Sequence, residues 1–491
     1  MPRVLGKNVV STKWVLTNKL NADGTLQKRK ARLVARGFTQ LKGVDYDEVF
    51  APVVKMTTIR VILTIAAVED LEIHQMDVKT AFLNGKLEEE VYIEQPEGYV
   101  EPGKEDLVCR LHKTLYGLKQ SPRVWWQTVD AFFESVGFQR VESDYGVYIK
   151  WNDQVHFIIS VYVDDIILIC NHLKELEQMK VKLRQQWEMT DLGELNFILG
   201  IRVQRDRTRH LIWLDQERYA NDVLKRFNMS HSKPMNTPCE AGRALRRDMS
   251  PSTATERSMM QGIPYASAVR SLMYTMTATR PDLGYAISSL SAYIGNPGQE
   301  HWKAVKRVLR YLRHTSSYQL ELGGNKLILQ GYCDSDWASS PDDRRSITGY
   351  AFTLGTGAIS WKSQRQKTVA LSSTEAEYMA ASSATRELLW LRNLLSELHQ
   401  TQQTVTLHCD NQGCIALANN PTYHQRTKHI DTQYHFIREQ VEKQIVRLTY
   451  IPTHQMMADV LTKPLPRLKH QLCVLQMRLD DRPSSQSGSV E

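Results

Sequence analysis

The sequence predicts a multidomain protein of mixed α+β and α/β class. Its 491 residues exceed what one hydrophobic core usually holds, which favours roughly two to four globular units. A hydrophobic fraction of 42% and a charged fraction of 24% are typical of a folded, soluble chain. Strand-like and helix-like segments follow one another in both halves of the chain, so each half is expected to build its own mixed core.

The first part of the chain, from Met1 to about Val203, alternates between strand and helix patterns. STKWVLTNKLNADGTLQKRKARLVARGF is predicted as two strands joined by a turn at residues 21–24. Helices are predicted at TTIRVILTIAAVEDL, at RVWWQTVDAFFESVGF just after Pro122, and at LKELEQMKVKLRQQWEM. VHFIISVYV and IILIC are predicted as two short strands that meet at an acidic pair.

The later part of the chain begins after a segment without periodicity. Residues 229–263 are rich in Ser, Thr, Pro and Met, which predicts a flexible linker. Helical segments follow, including HWKAVKRVLRYLRH. From about Leu327, the order of two or three strands, the helix STEAEYMAASSATRELLWLRNLLSEL, the strand TVTLHCD and further helix predicts a mixed sheet flanked by helices. Residues 471–491 are predicted as a disordered tail.

Charge and cysteine content narrow the class of protein. The net charge is +8, and runs such as KRKARLVARGFTQ and HWKAVKRVLRYLRH mix basic and aromatic residues in a way that suits a phosphate backbone. Solvated helix faces are the alternative for each run alone.

Seven cysteines without a CxxC pair indicate neither a zinc knuckle nor a disulfide framework, and favour a reducing compartment. VHFIISVYVDDIILIC is too short and too charged to cross a bilayer, and no signal peptide is predicted.

The first acidic centre consists of Asp164 and Asp165 in VYVDDIIL together with Asp77 in HQMDVKTAFL. Successive side chains on a strand point to opposite faces, so one of two adjacent aspartates would face a core unless a hairpin turn lets both reach one cleft. Divalent cations prefer such oxygen ligands. Three converging carboxylates fit two-metal phosphoryl transfer, in which one ion activates a primer 3′-hydroxyl and the other holds a triphosphate. A solvated turn is the alternative for the dipeptide alone.

A family resemblance supplies the context for these aspartates. KARLVARGFTQ, VFAPVVKMTTIR, HQMDVKTAFLNG, LYGLKQSPRVW and YVDD occur in this order, and they resemble the reverse transcriptases of copia-type LTR retrotransposons. The resemblance covers nearly the whole chain. It implies a right-hand polymerase, with fingers and palm at residues 1–228 and thumb-like or connecting helices at residues 264–322.

The resemblance also implies roles for individual residues. Asp77, Asp164 and Asp165 fall on the metal-binding, catalytic aspartates. Phe82 falls on the bulky gate that excludes a ribose 2′-hydroxyl, because an apolar ring offers that hydroxyl no partner. An ordinary core phenylalanine is the alternative.

Two further groups are implied to contact nucleotide, template or primer. The loop YGLKQSP lines the nucleotide and template, and its glycine permits close approach of the backbone. Three basic residues of the first hairpin are candidates for gripping the triphosphate, and the sequence does not choose among them. NFILGIRV resembles the grip on the primer, with a buried strand as the alternative. The nucleotide-binding candidates are Lys30, Arg32, Arg36, Phe82, Gly117, Gln120 and Ser121, with Pro122 in the same loop.

The second acidic centre consists of Asp334 on a strand, Glu377 on a helix, Asp410 at a strand end and Asp459 at a helix start. Four carboxylates on separate elements are costly to bring together without cations. Their order resembles ribonuclease H, which the copia-type family carries after its polymerase. The local matches are YCDSDWAS, SSTEAEYMA, LHCDNQ and THQMMAD. This implies a ribonuclease H-like mixed sheet at residues 323–470, with one departure at Ser335, where the cellular enzymes usually have glycine.

Several neighbouring residues compete for these roles. Asp336 shares a strand face with Asp334, and Glu375 lies about 200° around the helix from Glu377. The motif match selects Asp334 and Glu377. His454 precedes Asp459 by five residues and is a candidate for product release or proton transfer, with a surface histidine as the alternative.

Other cysteines and histidines are not expected to bind metal. Cys333 and Cys409 each precede a carboxylate on a strand and should be core thiols. His424, His429 and His435 have spacings that fit no single helical face, so a basic, aromatic segment contacting an RNA/DNA hybrid is the preferred interpretation.

Taken together, the resemblance implies an RNA-directed DNA polymerase joined to a ribonuclease H. The cofactor would be Mg²⁺ or Mn²⁺, two ions per centre, and the partners an RNA template, a DNA primer, the RNA/DNA hybrid and dNTPs, with no membrane partner. The expected location is a cytoplasmic virus-like particle, with the nucleus as a second possibility. The alternative is a catalytically inactive, truncated or domesticated nucleic-acid-binding remnant, since few residues precede KNVVSTKWVL. The oligomeric state is not indicated.

Overall fold

The computed structural model describes residues 1–20, 25–419 and 431–481. The chain divides into two compact units. The first unit takes in residues 1–55 and 72–195, and the second takes in residues 56–71 and those from 196 onwards. The first helix, α1 (Met56–Val68), therefore belongs to the second unit although it precedes most of the first unit in sequence.

The first unit is built on an antiparallel sheet. Its strands are β1 (Val9–Val10), β2 (Thr12–Leu20), β3 (Leu26–Ala35), β4 (Glu72–Val78), β5 (Tyr92–Glu94), β6 (Val108–Arg110), β7 (Gln139–Arg140), β8 (Val147–Trp151), β9 (His156–Tyr162), β10 (Asp165–Cys170) and β11 (Met189–Glu194). Six strands pair in the order β11-β4-β10-β9-β8-β7. β2 and β3 form the expected hairpin, and β1, β5 and β6 form a small third sheet.

Two helices of the first unit cover its large sheet. They are α2 (Ser121–Ser135) and α3 (Leu173–Gln186). α2 begins at Ser121 with Pro122 in its first turn, where the missing N–H of proline costs nothing. The apolar side chains of Trp125, Val129 and Phe133 recur at helical spacing and are buried in one core with residues of β10.

The second unit contains two five-stranded sheets and most of the helices. Its strands are β12 (Phe197–Ile198), β13 (Ile201–Asp206), β14 (Leu211–Asp215), β15 (Gln319–Gly323), β16 (Leu329–Asp336), β17 (Ile347–Leu354), β18 (Gly357–Arg365), β19 (Val405–Cys409), β20 (Val446–Tyr450) and β21 (Leu479–Asp480). Its further helices are α4 (Glu217–Arg226), α5 (Ala254–Met260), α6 (Tyr265–Ala278), α7 (Gly284–Ser291), α8 (Gln299–His314), α9 (Ser373–Glu397), α10 (Gln412–Asn419), α11 (Asp431–Glu442) and α12 (Arg467–Gln476).

The sheet that positions the second acidic centre has the order β18-β17-β16-β19-β20. β16, β17 and β18 are antiparallel, whereas β19 and β20 run parallel to β16. The mixed sheet with flanking helices therefore agrees with the predicted pattern. The further helix expected after TVTLHCD is present as α10 and α11. The strand β20 follows them and was not predicted; its alternating residues Val446 and Leu448 are buried, and it pairs with β19 along its whole length.

Two expectations about irregular segments differ from the structure. Residues 229–263 were expected to be a flexible linker, but they include α5, whose N-terminus has a capping box between Thr253 and Glu256. Met229 and Met235 of the same segment pack against the helical core. The predicted tail starts too early, because α12 and β21 occupy most of residues 471–480. Residues 21–24 of the first hairpin and residues 482–491 lie outside the described part of the chain. No helix among the described residues is long and apolar enough to span a membrane.

Candidate active sites

The first acidic centre lies at one end of the large sheet in the first unit. Asp165 is the first residue of β10 and pairs directly with Asp77 of β4. Asp164 lies in the turn between β9 and β10, and its carbonyl oxygen accepts a hydrogen bond from the N–H of Val78 at 2.8 Å. Side chains at directly opposed strand positions are close neighbours. Strand register thus brings Asp77 to the acidic pair from about ninety residues away in sequence.

The turn that carries Asp164 is conformationally unusual. Val163 has a φ of 59°, a left-handed value that β-branched residues rarely adopt and that costs about 1–3 kcal/mol. The indole N–H of Trp125 donates to the carbonyl oxygen of Val163 at 2.7 Å. Since Trp125 is buried in the sheet–helix core, α2 holds the turn in the conformation that presents the acidic pair.

The charges at this centre repel one another. Burial raises the pKa of Asp165, and the carboxylates of Asp164 and Asp77 raise it further, while a hydrogen bond from Gln75 opposes the shift. Gln75 Nε2 lies 2.9 Å from Asp165 Oδ1. An oxygen-only donor set with mutual repulsion fits a hard divalent cation.

An aromatic and basic cluster adjoins the first acidic centre. The ring of Phe82 meets that of Tyr116 edge-on at 5.2 Å between centroids, and the guanidinium carbon of Arg32 lies 5.6 Å from the same Tyr116 ring. Burial raises the pKa of Tyr116, the charge of Asp164 raises it further, and Arg32 lowers it. Phe82 and Arg32 therefore both contact the aromatic ring whose hydroxyl is influenced by the charge of Asp164. Tyr116 was missed in the sequence, although it directly precedes Gly117 in YGLKQSP.

The loop that contains YGLKQSP is held by internal contacts. Gly117 has a φ of +91°, and a Cβ there would lie 2.1 Å from the carbonyl oxygen of Ala35. Gln120 is buried and donates to the carbonyl oxygen of Asp45 at 2.8 Å. Ser121 donates to the carbonyl oxygen of Leu115 at 2.6 Å. Gln120 and Ser121 thus support the loop from within, and their contact with nucleotide stays a prediction.

The other two basic candidates on the first hairpin are placed differently from Arg32. Lys30 lies on β3, two positions before Arg32, and Arg36 is exposed after the strand ends. Arg32 contacts the Tyr116 ring of the aromatic cluster.

The second acidic centre is assembled from four elements of the second unit. Asp334 lies on β16, Glu377 on the first turns of α9, Asp410 directly after β19, and Asp459 on the 3₁₀-helix Met457–Leu461. Ligand atoms of Asp334, Asp410 and Asp459 lie within 4.8 Å of one another. Those of Glu377, Cys409 and Asp410 form a second such group. Asp410 belongs to both, so the centre offers two adjacent places for a cation. The centre formed by Asp77, Asp164 and Asp165 is not among the groups this tight within the described residues.

The structure separates the competing acidic residues. Glu377 Oε1 accepts the N–H of Ser335 at 3.1 Å, and Glu377 Oε2 is buried without a hydrogen-bond partner in the described structure. Glu375 instead accepts the N–H of Leu371 at 2.8 Å at the start of α9, where an acidic side chain stabilises the helix end. Asp336 is in neither tight group.

Burial dominates the electrostatics of the second acidic centre. Burial raises the pKa of Asp334 to about 7, Lys463 opposes that shift and Asp459 adds to it. Burial and the charge of Asp334 hold the pKa of Glu377 well above its usual range. Burial also raises the pKa of Asp410, against a hydrogen bond from Thr453. Buried carboxylates with an orphaned oxygen fit a divalent cation, because a cation would neutralise the charge and satisfy the oxygen.

Two lysines at this centre were missed in the sequence. Lys463 Nζ lies 2.7 Å from Asp459 Oδ1 and 3.5 Å from Asp334 Oδ2, and Lys469 Nζ lies 3.1 Å from Asp459 Oδ2. Thr462 donates to Asp334. The spacing of four between Asp459 and Lys463 is the signal that could have identified the first of these contacts.

The remaining predicted residues lie around this centre. His454 is exposed on a short 3₁₀-helix, next to Thr453, which donates to Asp410 at 2.8 Å. Cys333 and Cys409 are fully buried, as expected of core thiols, although the Cys409 thiol belongs to one of the tight groups. Of the three histidines rejected as zinc ligands, His424 and His429 lie outside the described residues.

Comparison with known proteins places this chain among retrotransposon proteins. Residues 3–241 match the family model described as reverse transcriptase (RNA-dependent DNA polymerase). The chain is 48% identical over 469 residues to the retrovirus-related Pol polyprotein from transposon TNT 1-94 of Nicotiana tabacum, covering 95% of this chain and 35% of that relative. It is 41% identical to the corresponding polyprotein from transposon RE2 of Arabidopsis thaliana, covering 94% and 31%. The chain thus spans about a third of the length of these relatives.

Among solved structures, a foamy viral protease-reverse transcriptase in complex with dsDNA is similar with a TM-score of 0.43 and 14% identity, over 89% of this chain and 77% of that one.

Proposed function

The chain belongs to the Pol proteins of copia-type retrotransposons, and on that premise we propose that it is an RNA-directed DNA polymerase that also cleaves the RNA strand of RNA/DNA hybrids. The observation that supports the polymerase is the pairing of Asp165 with Asp77, with Asp164 in the adjoining turn. The two activities belong to separate units of the chain, one to each acidic centre.

In the proposed polymerase, the residues around the first acidic centre bind and select the nucleotide. Mg²⁺ or Mn²⁺, two ions per centre, would supply Lewis-acid activation and charge neutralisation there. Asp77, Asp164 and Asp165 would hold these ions. Arg32 is the basic residue best placed to contact the triphosphate, because it reaches the cluster beside the carboxylates and its planar guanidinium matches phosphate oxygens.

Sugar selection is assigned to Phe82. Its ring contacts Tyr116, whose pKa is raised by the charge of Asp164, and we assign it to lie against the sugar of a nucleotide bound at this centre. A 2′-hydroxyl facing that ring would lose its hydrogen bonds to water without replacement. Gly117 keeps the loop close to β3, since a Cβ would collide with the backbone of Ala35.

In the proposed nuclease, the second acidic centre acts on the hybrid. Glu377 and Asp410 flank one cation place, and Asp334, Asp410 and Asp459 flank the other. His454, exposed on the 3₁₀-helix beside Thr453, is assigned to take up or release a proton near the leaving strand. The partners are an RNA template, a DNA primer, dNTPs and the hybrid itself, and the proposed location is a cytoplasmic virus-like particle.

Divalent-metal-dependent primer extension tests the polymerase. We expect the purified chain to extend a DNA primer on an RNA template with Mg²⁺ or Mn²⁺, and Asp164→Asn to lose at least about 100-fold of that rate, since even indirect supports of metal ligands cost 10–100-fold. Asp153→Asn, on the exposed β8–β9 turn, is the matched control and should extend normally. Primer extension by Asp164→Asn at the wild-type rate would contradict the proposal, and hybrid binding without any synthesis would favour the inactive remnant.

A further inference from the structure

A lysine side chain occupies the interior of the second acidic centre. The ammonium of Lys463 is 2.7 Å from Asp459 Oδ1 and 3.5 Å from Asp334 Oδ2. Both aspartates are about 1% exposed, and with Asp410 they form one of the two groups whose ligand atoms lie within 4.8 Å of one another. The positive charge therefore lies where a cation bound by Asp459 Oδ1 and Asp334 Oδ2 would lie.

Lys463 and a divalent cation cannot share this place. Mg²⁺ lies about 2.0–2.1 Å from its oxygen ligands, so an ion on Asp459 Oδ1 and Asp334 Oδ2, the two oxygens nearest Lys463 Nζ, would be in contact with the ammonium. Two like charges at that distance in a buried site repel strongly. The side chain of Lys463 is 30% exposed, which leaves it a path to solvent.

Lys469 differs from Lys463 in what anchors it. Its ammonium also contacts Asp459, but it donates to the carbonyl oxygens of Thr453, His454 and Met456 at 2.7, 2.9 and 3.1 Å. It therefore fixes the loop around Asp459. Displacing Lys469 would break three hydrogen bonds to backbone carbonyl oxygens. Among the described residues, displacing Lys463 breaks its ion pairs with Asp334 and Asp459.

We propose that Lys463 is a resident counter-cation of the second acidic centre: it holds the carboxylates together without metal and leaves when a divalent cation binds. The identification of the centre as a metal site rests on the proposed function. Because a cation built into the chain competes with a cation from solution, Lys463 lowers the metal affinity of this centre and sets the concentration at which it fills. It is a positioning residue and not a catalytic one.

Direct metal binding tests this role. The full chain carrying Asp164→Asn and Asp165→Asn, which weakens the first acidic centre, is the parent, and binding of Mn²⁺ is followed by the electron paramagnetic resonance signal of the free ion. Lys463→Met in this parent is expected to bind Mn²⁺ about fivefold or more tightly, the lower end of usual coupling between sites. Its thermal midpoint in EDTA should fall, and Mn²⁺ should raise that midpoint by more than in the parent.

Two matched variants separate this role from simpler explanations. Lys303→Met removes the same charge from an exposed pair with Glu300 in the same unit, and it should leave Mn²⁺ affinity at the parent value. Lys469→Met should lower the midpoint with and without Mn²⁺ and should not tighten binding. Unchanged or weaker Mn²⁺ binding by Lys463→Met would overturn the proposal.

A second measurement does not depend on the folding of Lys463→Met. The parent is treated with an amine-selective reagent, and the labelling rate of Lys463 is measured by mass spectrometry. Lys463 should be labelled more slowly in EDTA than in saturating Mn²⁺. An equal labelling rate in the two conditions would also overturn the proposal. Hybrid cleavage is not a readout here. Failure to cleave hybrids would therefore contradict the proposed function, whereas unchanged Mn²⁺ affinity would contradict the role of Lys463.

Discussion

The two acidic centres solve the same electrostatic problem in different ways. The first gathers Asp77 and Asp165 from neighbouring strands of one sheet and Asp164 from the adjoining turn, all half-buried, with Gln75 as a neutral hydrogen-bond donor. The second draws its carboxylates from one strand, the position directly after another strand, a helix and a 3₁₀-helix. Asp334 and Asp459 are almost fully buried there, with lysines as charged partners.

The difference shows how burial determines the kind of partner that a carboxylate needs. A half-exposed carboxylate keeps part of its hydration and tolerates a neutral donor, whereas a buried one must be paired with a charge, protonated or bound to a metal. The second centre should therefore depend more strongly on packing, on pH and on its counter-cation than the first.

Substitution of one glycine beside each centre has the largest expected effect. Gly117→Ala would place a Cβ 2.1 Å from the Ala35 carbonyl oxygen, and Gly349→Ala, opposite Asp334 on β17, would place one 2.5 Å from Thr462 Cγ2. Overpacking of this kind costs about 1–3 kcal/mol. We expect Gly117→Ala to lose primer extension and keep hybrid cleavage, and Gly349→Ala to do the reverse, both measured beside the thermal midpoint.

Glycines in open surroundings provide the controls for this pair. Gly137 has a φ of +88° with no atom within 4 Å of a built Cβ, and Gly295 is equally open. Gly137→Ala therefore measures the effect of backbone strain without a steric collision. Gly295→Ala introduces neither strain nor a collision. Loss of both activities in either buried-glycine variant would mean that the two centres are not supported independently.

After the glycine substitutions, the second largest difference expected between the two centres is in the pH dependence of their metal binding. Burial raises the pKa of Asp334 to about 7, so near neutral pH a metal ion must displace a proton as well as Lys463. Affinity should therefore fall as pH drops through about 7, because the proton occupies the carboxylate that the metal needs. The pKa of Asp165 is also raised by burial. Because Asp165 is only half-buried and Asp334 is about 1% exposed, the first centre should lose metal affinity at a lower pH than the second centre.

Mn²⁺ titrations from about pH 8 to about pH 6 check this expectation, with a limiting slope of about tenfold per pH unit for one displaced proton. The two centres are compared in chains carrying Asp410→Asn or Asp164→Asn. Equal slopes of Mn²⁺ affinity against pH for the two centres would contradict the proposal that their different burial determines their pH dependence.

Local patterns predicted much of the fold and of the first acidic centre. The strands flanking Asp164 and Asp165, the hairpin of β2 and β3, and helices α1, α2 and α9 follow from periodicity and turn residues, which act over a few positions. The family resemblance assigned the distant Asp77 to the same site as Asp164 and Asp165. It also assigned Asp334, Glu377, Asp410 and Asp459 to one site, which sequence spacing alone could not do.

The missed features depend on tertiary contacts. Lys463 acquires its role only because the 3₁₀-helix of Asp459 packs against β16, and Tyr116 only because its loop returns to β3. β20 is short and partly exposed, so its pairing with β19 decides its conformation. The inclusion of α1 in the second unit likewise rests on contacts made far away in sequence, such as those of the buried Arg60 guanidinium with the carbonyl oxygens of Ala278 and Ile359.

Measuring both activities on the same preparations shows whether the two acidic centres are independent and carry separate activities. Primer extension and hybrid cleavage are followed for the wild type, Asp164→Asn, Asp410→Asn and the exposed control Asp222→Asn of α4. We predict that Asp164→Asn loses synthesis and retains cleavage, that Asp410→Asn loses cleavage and retains synthesis, and that Asp222→Asn retains both. Joint loss of both activities in either active-site variant, with folding intact, would contradict the account.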